Sequence, residues 1–172
     1  MIDASVASAA GGAGATFPRS KRCRDFLQAV LDVSYRALLT PTLEREWNEH
    51  QSGFARTWRR MMVSRRKMIV RDVPENAVLR RGIERVIVSE TGRAAVRKDY
   101  HLIEAALVVD KVVASLDDTV RVLFGSAAVR IAELRRIIWL NPEIVEEACV
   151  AWLKQGARLE RKRLLGFRAR RS

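Results

Sequence analysis

The chain has 172 residues, 48% hydrophobic and 30% charged, which is enough apolar material for one packed core and excludes a globally disordered chain. Lys and Arg number 32 against 20 Asp and Glu, a formal charge of +12, so the first partner to consider is a polyanion, either nucleic acid or an anionic membrane surface. Two distant cysteines, Cys23 and Cys149, and two histidines, His50 and His101, exclude a disulfide framework and leave a Cys/His zinc site poorly supplied.

In chain order, residues 1–4 form a short apolar run that predicts a first strand ending at Asp3. The Ala- and Gly-rich stretch that follows lacks the basic segment of a secretory signal, and a cytoplasmic protein is expected. Ser20 is a candidate cap for a helix to about residue 33, with Cys23, Phe26, Leu27, Val30 and Leu31 on one face. Residues 35–40 predict a second strand, and Pro41 suits the first turn of a helix to about residue 50. After Gly53 a basic helix carries Phe54, Trp58, Met61 and Met62, the tryptophan and methionines being read with Trp47 as core or homodimer contacts.

Further helices are predicted over about 75–88 and 92–109, followed by a third strand at 111–115. Asp117 or Asp118 can start the next helix, which covers 119–124, and a short helical piece leads into a fourth strand at 137–140. Pro142 opens a last amphipathic helix to residue 154. No internal repeat is visible, and no stretch approaches the ~20 apolar residues of a membrane-spanning helix. Strands separated by helices predict a three-layer α/β/α domain over residues 1–153, with a short, mainly parallel sheet of four or five strands. Residues 154–172 then form a basic tail, helix-prone or frayed.

The positive charge is concentrated. Residues 56–71 hold seven bases (Arg56, Arg59, Arg60, Arg65, Arg66, Lys67 and Arg71) and no acid, forgoing the usual i,i+4 pairing and favouring a polyanion. Acids, by contrast, follow the predicted strands, where a parallel sheet places its ligands: Asp3, then Glu44 and Glu46, then Asp117 and Asp118. Asp99 begins an apolar helix that feeds the third strand. Carboxylates without histidines suit a hard cation such as Mg2+ or Mn2+. An isolated Asp at such a place is otherwise a helix cap.

Four segments carry a resemblance: Met1-Ile2-Asp3-Ala4-Ser5, Thr40-Pro41-Thr42-Leu43-Glu44-Arg45-Glu46-Trp47, Lys98-Asp99-Tyr100-His101-Leu102-Ile103-Glu104-Ala105-Ala106, and Val112-Val113-Ala114-Ser115-Leu116-Asp117-Asp118. Their order resembles a PIN domain over residues 1–152. The resemblance selects Glu46 over Glu44 and Asp117 over Asp118. It implies Asp3, Glu46, Asp99 and Asp117 as catalytic, metal-binding acids with Ser5 and Ser115 in support. It further implies an Mg2+- or Mn2+-dependent endoribonuclease, in the manner of toxins paired with an antitoxin protein; the charge run itself then supplies Arg56, Arg59, Arg60, Arg65, Arg66 and Lys67 as the expected RNA-binding residues. Glu104, one turn beyond Asp99, is expected at an exposed helix position rather than in support of the site, and His50 and His101 are expected to be solvated or partner-satisfied. Only two residues precede Asp3, and this short first strand favours the alternative, an inactive PIN-fold module that binds nucleic acid or protein.

Overall fold

The computed structural model describes residues 1–167, so the last five residues of the predicted basic tail lie outside the described residues. In chain order the elements are α1 (Ala4–Ala9), α2 (Pro18–Asp32), β1 (Ala37–Leu39), α3 (Pro41–His50), α4 (Gly53–Ser64), β2 (Met68–Val70), α5 (Ala77–Val86), α6 (Glu90–Val108), β3 (Val112–Ala114), α7 (Asp118–Ala128), β4 (Ile138–Leu140) and α8 (Cys149–Lys154). The fold is mixed α/β. Among the described residues the strands are three residues long and form two two-stranded sheets, β1–β2 and β3–β4, rather than one sheet of four or five strands. Among the described residues no helix is long and apolar enough to cross a membrane. The chain divides into two compact units.

The first unit comprises Met1–Asp72, Ala114–Leu116 and Leu140–Arg158. Its sheet pairs β1 and β2 in parallel, with Ala37 opposite Met68 and Leu39 opposite Val70. The predicted strand at 1–4 shrinks to one residue, because Ile2 makes an isolated parallel bridge to Ala114 and the chain turns helical at Ala4. An Ala-rich segment has high helix propensity, and Val6 and Ala7 are wholly buried there. Helix α2 starts at Pro18 with no side-chain cap, so Ser20 lies inside the helix rather than at its end.

Two tryptophans organise this unit. Trp47 and Trp58 are buried with ring centroids 5.8 Å apart, and with Met62 they are core residues of a single unit. Trp58 donates its indole N–H to the Leu27 carbonyl at 2.6 Å, joining α4 to α2. Cys23 is also sealed in, and burial pushes its thiol up to about 11, so it stays protonated and unreactive at neutral pH.

The predicted helix from Pro142 does not form. Asn141 is buried, its side-chain oxygen accepts from the Glu143 N–H, and its own N–H donates to Glu147, each at 2.9 Å. These bonds hold a turn in place of the first helical residues. A short 3-10 helix and Ala148 in the left-handed region (φ 42°) then delay α8 to Cys149.

Among the described residues the second unit comprises Val73–Val113, Asp117–Trp139 and residues 159–167. Tyr100, Phe124 and Trp139 form an aromatic row, with successive centroids 6.5 and 5.9 Å apart. Burial and the nearby Glu84 push the Tyr100 phenol up to about 12. The described part of the predicted tail is built into this unit rather than frayed: Leu164 bridges Ile138 antiparallel, and Leu165 is buried and donates its N–H to the Ile137 carbonyl at 2.9 Å. Gly166 (φ 78°) must be glycine, because a Cβ there would stand 2.9 Å from that of Ala128.

Glu104 overturns the expectation of a solvated position. It is 5% exposed and accepts both the Nε–H and an Nη–H of Arg80 at 2.8 Å, with the Asn76 N–H at 2.7 Å. Arg80 also pairs with Glu75 and lies over the Tyr100 ring at 5.3 Å. The Glu104 hydrogen bonds, ahead of those from Glu75, hold Arg80 more firmly charged than usual. Replacing Glu104 by Ala removes the bidentate partner of Arg80, leaving it only Glu75 and the Tyr100 ring, and strands the Asn76 N–H, and urea unfolding at neutral pH should register a loss of about 2 kcal/mol. A loss below about 0.5 kcal/mol, the level of an ordinary surface change, would contradict this account.

Candidate active site

The residue that ends the first bridge is Asp3. Its N–H donates to the Ala114 carbonyl at 2.9 Å, and Ala114 N–H returns to Met1 at the same distance. Asp3 occupies the cap position of α1, yet its carboxylate makes no capping hydrogen bond. Instead Oδ2 accepts the hydroxyl of Ser5 and, at 2.7 Å, that of Ser115, which is itself 1% exposed. Ser5 Oγ in turn accepts the Leu116 N–H at 3.1 Å, which leaves its hydroxyl proton for Asp3. Charge-assisted bonds from two sides fix the carboxylate's orientation. Its Oδ1 receives no donor among the described residues.

Glu46 lies in the same unit, on α3. Thr40 caps that helix by accepting the Leu43 N–H at 3.2 Å, and Pro41 follows at its first position. Leu43 and Trp47 are its buried residues, and Trp47 donates its indole N–H to the Ile2 carbonyl at 3.1 Å. The helix bearing Glu46 is thereby tied to the residue preceding Asp3. Glu46 itself is half-buried.

Asp99 and Asp117 belong to the second unit. Asp99 does not open a helix: Ser89 caps α6 by accepting the Gly92 N–H at 3.1 Å, and Asp99 stands half-buried in mid-helix. Asp117 is exposed and caps α7, its Oδ1 accepting the Val120 N–H at 2.8 Å. Asp118 is the first residue of that helix and faces Arg121 at 3.7 Å. Asp3 and Asp117 both occupy cap positions, and only Asp117 uses its carboxylate as a cap.

The structure therefore brings together Asp3, Ser5 and Ser115. Oxygen donors of this kind suit a hard divalent cation, and Asp3 offers one oriented, donor-free oxygen. Among the described residues no group of three His, Cys, Asp or Glu stands ready to hold a metal ion.

The basic run spreads over several environments. Ser52 caps α4, whose Arg56 and Arg60 are exposed, while Arg65 and Arg66 fall at its C-terminal end. Arg66 is in the left-handed region (φ 55°), and Lys67, half-buried, leads into β2. Arg59 differs from the rest, for it pairs with Glu44 and donates to Asn48 at 2.8 Å. The acid absent from the run is supplied by α3. Glu44, Asn48 and Gln51 recur at a spacing that shares one helix face, the signal in the sequence for this second lining.

Comparison with protein-family models, with curated proteins and with solved structures finds no match to this chain.

Proposed function

We propose that the chain is an Mg2+- or Mn2+-dependent endoribonuclease of PIN type, hydrolysing RNA phosphodiester bonds in the cytoplasm. Asp3, Glu46, Asp99 and Asp117 are its metal-binding acids. The observation that carries it is the Asp3 carboxylate, gripped on Oδ2 by Ser5 and Ser115 and open on Oδ1. A cap or a solvated acid needs no such support. A divalent ion held by these acids would activate a water and offset charge on the leaving oxygen. Ser5 and Ser115 act as positioning residues that hold Asp3 in one rotamer. The PIN resemblance also makes an antitoxin protein the natural partner.

A second reading, an inactive module that binds nucleic acid or protein, is favoured by Asp117, whose carboxylate is committed to capping α7. Metal titration separates the two. At a tenfold excess over its dissociation constant, Mn2+ should raise the melting temperature of the nuclease by about 4 °C, and Asp3→Asn should remove that rise. A transition that Mn2+ leaves unmoved in both proteins would select the binding module.

A further inference from the structure

The first unit carries a groove of about 630 Å3 on α3 and α4, lined by Arg56, Arg59, Arg60, Asn48, Gln51 and Ser64. Among the described residues three guanidinium groups line it and no acid does. Arg56 and Arg60 are one helical turn apart, about 6 Å along the axis, and both are exposed. Between them in sequence, Arg59 is less exposed, its guanidinium fixed by Glu44 and Asn48. Amide groups from Asn48 and Gln51 complete the wall, and Gln51 Oε1 is buried with no hydrogen-bond partner among the described residues. Glu46 is roughly 200° around α3 from Glu44, so the groove and the proposed acids use different faces of that helix.

We infer that this groove binds the phosphodiester backbone of an RNA strand, with Glu44 as its built-in counter-ion. Arg56 and Arg60 meet successive phosphates, for which their fork of donors and their one-turn spacing are suited. Arg59, held by Glu44, is preorganised, and the carboxylate that holds it also offsets part of the groove's charge. Removing Glu44's charge therefore strengthens binding. Contacts of this kind position a strand without reading its bases. The inference rests on the nuclease reading for the choice of RNA as the polyanion, and the groove's geometry is independent of the carboxylates.

The test is fluorescence anisotropy of a labelled oligouridylate of about twelve nucleotides, in EDTA and at about 50 mM salt, with the full chain. Arg56→Ala with Arg60→Ala should weaken binding about tenfold and reduce the salt slope by about 1.4, the value for two phosphate contacts on a single strand. Arg65→Ala with Arg66→Ala removes the same charge outside the groove and should cost under about threefold. Glu44→Gln should tighten binding about threefold, the scale of an exposed ion pair. Circular dichroism confirms that each variant is folded. Equal losses from the two double variants would overturn the groove, reducing it to general surface charge. So would displacement of the RNA by oligoglutamate as effective as by unlabelled RNA, which would assign the groove to an acidic protein partner. Because binding is read without metal, a protein that binds through the groove but never cuts RNA would refute the nuclease reading and leave this one standing.

Discussion

Replacing Asp3 by Asn should lower the proposed Mn2+-dependent RNA cleavage by at least about a hundredfold and leave the protein folded. The expectation follows from how the carboxylate is held. An Asn oxygen can still accept the Ser5 and Ser115 hydroxyls, so the hydrogen-bonded chain from Leu116 through Ser5 to residue 3 survives the change. What disappears is the negative charge and the second anionic oxygen, the features a hard cation requires. Ser115→Ala tests positioning instead. It removes the 2.7 Å bond, frees the carboxylate to rotate, and should lower cleavage by about tenfold with weaker Mn2+ dependence of the melting temperature. Single-turnover cleavage of end-labelled RNA measures both. An Asp3→Asn protein that cuts as fast as the wild type removes Asp3 from the reaction.

The largest effect on stability is expected at Trp58. Its replacement by Ala empties a fully buried site, breaks the 2.6 Å bond to Leu27 and unstacks Trp47, for a loss of about 4 kcal/mol. In a chain of this length that lowers the melting temperature by roughly 12 °C. Trp58→Phe keeps the ring and loses the donor, leaving the Leu27 carbonyl unsatisfied, and should cost about 2 kcal/mol. The damage reaches beyond packing. Trp47 holds the Ile2 carbonyl, so a loosened Trp47 also loosens the backbone entering Asp3. Urea unfolding of the two variants distinguishes the contributions, and a Trp58→Ala loss under about 1 kcal/mol would refute the central place given to this pair.

The sequence made legible those features whose cause is local. Thr40-Pro41 announces the start of α3 through a hydroxyl cap and a preset φ, and Asp117, beside Asp118, announces α7 through a carboxylate cap. The strands β1, β3 and β4 fall inside short, bounded apolar runs. Features with non-local causes were not legible. Met68-Ile69-Val70 looks like the end of a basic segment until β1 lies beside it. The six residues of α1 are too few to be helical alone and are buried by their neighbours. Asn141 and Glu147 defeat the helix signal of Pro142 through a hydrogen bond spanning six residues. Glu104 reads as a surface acid because its partner, Arg80, is a helix away.

Within the candidate site the division is the same. Asp3 and Ser5 are near neighbours in sequence, but the Ser115 hydroxyl arrives from 112 residues away, and only the tertiary fold could disclose that contact. Asp99 shows the opposite error: an apolar stretch after an acid imitates a helix start, and the true cap, Ser89, lies ten residues earlier.

The antiparallel bridge between Leu164 and Ile138 gives the basic C-terminal segment a duty unrelated to charge. A three-residue strand with a bare flank invites pairing with another chain, and Leu164 occupies that flank of β4 while Leu165 is buried beneath it. The segment is thus an edge guard. Its lysines and arginines, Arg161 to Arg163 among them, ride on a piece of backbone that keeps the sheet from recruiting strangers.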